Sequence, residues 1–224
     1  MEESIVQSFF VLEDFAHRKL FEGLIYPWEA LAQLETYLGK QSLGKIESEI
    51  PDSVHLVNPS MISIGKETII EPGAFIQGPC IIGSNCLIRN GAYIRGGLIC
   101  GDNCIIGHTT EIKHVIMLNG SKAAHFNYVG DSILGNEVNL GAGVKCANLR
   151  LDSAQVVIRF KNQKIPSGLK KMGAIIGDGG QIGCNSVLNP GTIIGKEAVV
   201  YPCINVSGYV APQSLIKVTS HDNN

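Results

Sequence analysis

The chain has 224 residues and nearly balanced charge, 18 Lys and Arg against 20 Asp and Glu, so bulk attraction to nucleic acid is excluded and any anion site must be local. No apolar run approaches the roughly 20 residues of a membrane span, and the run Ser8-Phe9-Phe10-Val11-Leu12 lacks the basic flank and cleavage signal of a secretory leader, so the sequence reads as cytoplasmic. Seven cysteines with no CxxC pair favour neither a disulfide framework nor a zinc site.

Residues 1–58 read as a helical N-terminal segment and linker. Phe9, Phe10, Leu12 and Phe15, then Leu20, Phe21 and Leu24, space their apolar side chains as a helix would. A second helix is predicted after Pro27, with Trp28, Leu31, Leu34 and Tyr37-Leu38 on one face and a stop at Gly39. Repeat arrays need sealed ends, so this segment is expected to cap one end of the repeats that begin near residue 59; a docking surface for a partner chain is the alternative. Residues 41–58 form a linker punctuated by Pro51, with Pro59 just beyond it.

From residue 59 to about 210 the chain is mainly β and built of hexapeptide repeats. Isoleucine recurs every sixth residue at Ile64, Ile70, Ile76, Ile82, Ile88 and Ile94, continuing through Cys100, Ile106, Ile112 and Leu118. Four residues after the early isoleucines stand small side chains, among them Ala74, Cys80, Cys86 and Ala92, then Cys104. The pattern predicts a parallel β-helix in which roughly every eighteenth residue stacks on its equivalent about 4.8 Å away. The buried cysteines then serve as small apolar side chains. The register shifts near residues 125–134, disappears between about 149 and 174 in what reads as an extruded loop or β-hairpin arm, and returns from Ile176. Residues 211–224 form a C-terminal tail.

Stacking has a chemical consequence. Gln77, Arg95 and Lys113 each follow a repeat isoleucine and are 18 residues apart, so they belong to one outward column. Two cations at that spacing repel by about 1 kcal/mol when solvated, and a phosphate accepting charge-assisted hydrogen bonds would relieve the repulsion. A solvated pair that splays apart is the alternative.

The segments Glu111-Ile112-Lys113, Ala124-His125-Phe126-Asn127-Tyr128-Val129-Gly130-Asp131, Val138-Asn139-Leu140-Gly141-Ala142-Gly143 and Asn148 resemble the acetyltransferase half of the bifunctional N-acetylglucosamine-1-phosphate uridylyltransferase/glucosamine-1-phosphate acetyltransferases. Ser167 to Asp178 is similar to the archaeal-type sugar-1-phosphate nucleotidylyltransferases that carry the same helix. The resemblance implies a left-handed parallel β-helix, a homotrimer with sites between subunits, and acetyl transfer from acetyl-CoA, as co-substrate, to an amino-sugar 1-phosphate in nucleotide-sugar and cell-envelope precursor synthesis. No metal is required, and neither a nucleic-acid nor a membrane partner is implied. No Gly-rich nucleotide loop precedes residue 60, so nucleotidyl transfer is not expected of this chain; a separate nucleotidyltransferase partner could supply it.

Carried over residue by residue, His125 falls on the family's general base, a role suited to a side chain that titrates near pH 6.5. Tyr128 and Asn139 match substrate-binding or base-orienting positions, while Arg95 and Lys113 are substrate-binding candidates from the stacked column. Ala142, Asn148 and Cys184 match acetyl-CoA positions, with Lys170 or Lys171 standing in for a lysine that Gly173 replaces. Leu149 and Cys184 depart from the family's tyrosine and serine. Two other classes compete: a γ-type carbonic anhydrase using His108, His114 and His125, and a non-catalytic β-helix that binds a nucleotide sugar or a partner enzyme.

Overall fold

The computed structural model describes residues 4–217. Within them the chain winds a left-handed parallel β-helix, a triangular prism whose sides we call faces A, B and C. Face A opens with His55–Val57, Phe75–Gln77 and Tyr93–Ile94. Face C opens with Ile62–Ile64, Cys80–Ile82 and Leu98–Cys100, and face B with Ile69–Ile70, Leu87–Ile88 and Ile105–His108. The longer strands Glu111–Met117 and Tyr128–Leu134 turn the corner from A into C without a break.

Side chains alternate inward and outward along each strand. The repeat isoleucines point inward, and Ile64, Ile76, Ile82, Ile88, Ile94 and Ile106 are all at most 1% exposed. Cys80, Cys86, Cys100, Cys104 and Cys146 lie in the same interior. Burial pushes the Cys80 and Cys146 thiols up to about 12, so they are neutral core fillers.

Parallel pairing fixes the addresses. Successive partners along face A are His55, Phe75, Tyr93, Glu111, Tyr128, Lys145, Val187 and Asn205, giving steps of 20, 18, 18, 17, 17, 42 and 18 residues. The 17-residue steps account for the register shift around His125. The 42-residue step contains the arm, which is a β-hairpin of antiparallel strands Val157–Phe160 and Gln163–Pro166. Pairing also reaches beyond the interval read from the repeats. His55–Val57 already pairs with Phe75–Gln77, Ile46 bridges to Ile64, and Leu215–Ile216 still pairs with Val199–Val200. The linker and the start of the tail therefore belong to the coil; residues 218–224 of the expected tail lie outside the described residues.

The N-terminal segment does not cap an end of the prism, which corrects the expectation from sequence. It lies along face C. Outward-pointing Ile99, Ile116, Ile133, Ile175 and Ile193 form a vertical apolar stripe there, each 0% exposed beneath Phe9, Phe10, Trp28, Leu31, Leu34 and Leu38. Covering an isoleucine is worth roughly 1.5–3 kcal/mol relative to exposure, so a flat side with five of them demands a cover more strongly than an end does. The segment is also less helical than its pattern suggests. Among its described residues only Glu29–Leu38 is α-helical, closed by Gly39 as expected, and Val6–Ser8 and Arg18–Phe21 are short 3-10 turns. The Asp178 carboxylate pins this segment to the corner between C and B by accepting from the Val11 N–H at 2.7 Å and from the Asn136 N–H at 2.8 Å.

The hairpin arm folds onto the same face. Ile158 and Phe160 join the apolar cover, Phe160 lying 6.1 Å from the Phe9 ring and 4.7 Å from Tyr209. Gly191 permits the approach, since a Cβ there would come within 2.7 Å of Val156 Cγ1.

Candidate functional site

Two clusters flank face A, one at its leading edge and one at its far edge. The leading edge is the corner where the chain passes from B to A. There His125 pairs in register with His108 on the coil before. Continuing the pairing of Ala123 with Leu140 and of Leu140 with Ile182 places Ala142 and then Cys184 on the next two coils. Three of the predicted residues, His125, Ala142 and Cys184, thus form one vertical column.

The corner is fixed from inside by Asn127, which is 2% exposed. Its Oδ1 accepts from the His125 backbone N–H at 3.1 Å, its Nδ2 donates to Gly141 O at 2.7 Å, and its own N–H donates to Thr110 Oγ1 at 3.2 Å. The His125 side chain is exposed, and among the described residues its imidazole has no hydrogen-bond partner. Phe126 beside it is 53% exposed and lies over Gly143, whose missing Cβ leaves room for the ring. Cys184 is exposed. Asn139 stands on face B, paired with Lys122 and Gln181, and is not beside Tyr128 within one subunit.

At the far edge the column of Gln77, Arg95 and Lys113 forms as the spacing requires, continuing through Gly130. The charges differ from the expectation. Arg95 Nη1 lies 2.7 Å from Glu111 Oε1, and Lys113 Nζ lies 3.4 Å from both carboxylate oxygens of Asp131. Each cation is neutralised by its own acid, so the predicted repulsion between them is absent.

Asp131 is the centre of this cluster and is 5% exposed. Asn148 donates to it, Lys113 pairs with it, and His114 Nδ1 approaches to 3.2 Å in a direction that leaves that nitrogen without a hydrogen bond. Burial alone would raise the Asp131 carboxyl, but His114, Asn148 and Lys113 together outweigh it and hold the group below the usual aspartate value. Burial first, then the charges of Glu111 and Asp131, raise the Tyr128 hydroxyl. Gly130 makes room for the cluster: a Cβ there would meet Asn148 Nδ2 and Tyr128 OH, each at 2.7 Å. Lys171 stands at the base of the arm, bridged to Leu149 next to Asn148, and Lys170 is exposed beside it.

Glu111, Asp131 and Asn127 were not singled out as site residues from sequence, and His114 was considered only as a metal ligand. A usable signal existed for one of them, since Asp131 follows Lys113 by 18 residues, one coil on. The three histidines do not converge. His108 and His125 share the leading corner and His114 lies across the face. Among the described residues the only group with metal-ligand spacing is Cys86, Cys100 and Cys104, sealed in the core. Cys86 and Cys104 there donate to the Gly101 and Leu118 carbonyls, each at 3.1 Å.

A family model described as the GMPPB C-terminal domain matches residues 76–163. The bifunctional sugar-1-phosphate nucleotidylyltransferase/acetyltransferase of Sulfurisphaera tokodaii is 34% identical over 196 residues, covering 86% of this chain and 47% of that protein. The chain thus spans about half the length of that relative. The Escherichia coli K12 protein named "Putative uncharacterized acetyltransferase YaiX" is 35% identical over 175 residues, covering 78% of this chain and 76% of that protein. Among solved structures, a UDP-N-acetylglucosamine acyltransferase from Campylobacter jejuni superposes with a TM-score of 0.52 at 14% identity, covering 76% of this chain and 63% of the other; that likeness is one of fold. No helix among the described residues is long and apolar enough to cross a membrane.

Proposed function

Because the chain belongs to the hexapeptide-repeat acyltransferase family, we propose that it transfers an acetyl group from acetyl-CoA to the amine of an amino-sugar 1-phosphate. The observation that carries this reading is the pair of clusters on one face: an exposed histidine in column with Ala142 and Cys184 at one edge, and the Arg95, Lys113, Asp131, Asn148 and Tyr128 group at the other. Lys113 and Arg95 meet the phosphate, Tyr128 and Asn139 the sugar. The column below His125 and the lysines at the base of the arm receive the acyl donor.

In the reaction the neutral amine attacks the thioester carbonyl carbon, a C–N bond forms and the C–S bond breaks. His125 takes the proton that the nitrogen loses and returns it to the departing sulfur. Asn127 positions that histidine by fixing its backbone. Asn139 on face B and Tyr128 on face A cannot both line one site within a single subunit. We therefore read the working site as lying between neighbouring subunits of a homotrimer, face B of one meeting face A of the next.

Thiol release from acetyl-CoA in the presence of glucosamine 1-phosphate tests the reading directly. His125→Ala is expected to lower turnover by about 10²- to 10⁴-fold, with the melting temperature unchanged because the side chain is exposed. Unaltered turnover in that variant would remove the general-base role. Tight sugar-phosphate binding by the wild type with no thiol release would favour a non-catalytic β-helix instead.

A further inference from the structure

We propose that the cleft between the hairpin arm and the last coils of face A is a binding site for the diphosphate of a nucleotide, with Arg159 as its principal cation. Charge on this chain is sharply segregated. Of its 18 cations and 20 acids, residues 149–171 hold six cations and one acid, leaving 12 and 19 elsewhere. A basic arm on an acidic body is a local anion site of the kind that the near-zero net charge conceals.

The arm encloses a cleft of about 680 Å³ whose polar lining includes Arg150, Arg159, Asn189 and Ser207, with Gly191 and Gly208 also lining it. The acid of the arm, Asp152, also lines it but is already engaged by Arg150, with Nε at 2.9 Å from Oδ1 and Nη2 at 2.5 Å from Oδ2. Arg159 has no carboxylate within ion-pair distance among the described residues. It stands directly across the hairpin from Lys164, and like charges opposed in a β-ladder are unfavourable. Neither residue can swing to the other face of the hairpin, because Ile158 and Phe160 on either side of Arg159 are anchored in the apolar cover. The fold therefore holds an uncompensated guanidinium over a polar cleft, the arrangement that a bidentate phosphate contact satisfies.

Position links this cleft to the candidate site, and the inference rests on that reading of face A. The outward column that carries Lys113 and Gly130 continues through Ala147 to Asn189 and Ser207. Three coil steps separate Lys113 from Asn189, roughly 14 Å at the strand spacing. Leu149, Leu151 and Val157, with exposures of 43%, 107% and 39%, lie along the cleft and offer an apolar edge beside the guanidinium. Cation and apolar edge together suit a nucleoside diphosphate better than a bare anion. Two sources carry that group: coenzyme A, the donor of the proposed reaction, and a nucleotide sugar bound apart from the amino-sugar 1-phosphate acceptor.

Calorimetry on the full chain with coenzyme A, uridine diphosphate and glucosamine 1-phosphate, comparing wild type with Arg159→Gln and Arg159→Lys, decides the matter. Arg159→Gln is expected to weaken coenzyme A or uridine diphosphate by about tenfold or more, Arg159→Lys to restore part of that loss, and glucosamine 1-phosphate to bind within about twofold of wild type. Loss confined to coenzyme A assigns the cleft to the donor, and loss confined to uridine diphosphate assigns it to a nucleotide sugar. Failure of the wild type to bind either nucleotide, no loss for either in Arg159→Gln, or equal losses for all three ligands overturns the inference. Thiol release is read separately: turnover with an unaffected Arg159→Gln variant sinks the cleft and leaves the transferase, whereas nucleotide binding without turnover does the reverse.

Discussion

Removing the Lys113 ammonium separates a phosphate-binding role from a structural one. The Lys113 side chain is 29% exposed and lies 3.4 Å from both oxygens of Asp131, well beyond the roughly 2.7–2.9 Å of a tight charge-assisted hydrogen bond. Asp131 also keeps Asn148 as a donor, so sharing Lys113 with an incoming phosphate costs little, under about 1 kcal/mol. A charge-assisted hydrogen bond to phosphate contributes roughly 1.5–3 kcal/mol. The net is about 1–2 kcal/mol, so Lys113→Met, which keeps the apolar stem, should weaken glucosamine 1-phosphate about five- to thirtyfold by calorimetry. Arg95 should lose less, because its 2.7 Å pair with Glu111 is better formed in the free protein and must be shared. Unphosphorylated glucosamine should be indifferent to both changes. Asp131→Asn, which suits the left-handed backbone at that position (φ 46), should strengthen phosphate binding by removing the competing charge. Equal losses for the phosphorylated and unphosphorylated sugar in Lys113→Met would show that Lys113 serves only Asp131.

Trp28→Ala should cost about 3–5 kcal/mol in urea unfolding, because the indole is 1% exposed in the cover of face C; a loss below about 1 kcal/mol would mean that the cover unfolds apart from the coil. Asp131 gives a pH signature. Its folded-state value lies below the usual one, so its ionised form stabilises the fold above about pH 4 and that contribution is lost as pH falls through the folded value. Asp131→Asn should therefore flatten the acid limb of a stability–pH curve, and an unchanged limb would contradict the assignment. Light scattering should return three times the 24.0 kDa chain mass; a monomer would remove the shared site.

The coil was legible because a six-residue period leaves inward positions no alternative to small or branched apolar side chains, as at Ile64 through Ile94. Stacking of Gln77, Arg95 and Lys113 followed from the same arithmetic. The neutralising acids did not stand out, because Glu111 and Asp131 stand at different places on the coil, one opposite Tyr128 on the strand and the other at the corner. The N-terminal segment was misplaced for another reason. The outward residues at 99, 116, 133, 175 and 193 look like ordinary repeat isoleucines, and only the folded register shows that they line up on one exterior face. The arm was visible as a loss of period, but period says nothing of the side against which it folds.

Covering face C decides which surfaces are left for assembly. Face A displays His55, Phe75 and Tyr93 as an aromatic ladder, His55 stacked on Phe75 at 5.2 Å between ring centroids and Tyr93 meeting Phe75 edge-on at 5.0 Å. Face B displays Ile69, Leu87 and Ile105 in one column, Ile69 being 64% exposed. Both stripes belong to the first three coils and flank the edge that carries His108 and, one coil on, His125. In the proposed trimer, bringing face A of one subunit against face B of the next covers both stripes and places Asn139 opposite Tyr128 in the same movement. Apolar burial then supplies the association energy, and the polar groups on the later coils are left free for substrate. Assembly and completion of the site become a single event, with face C barred from both by the N-terminal segment and the arm.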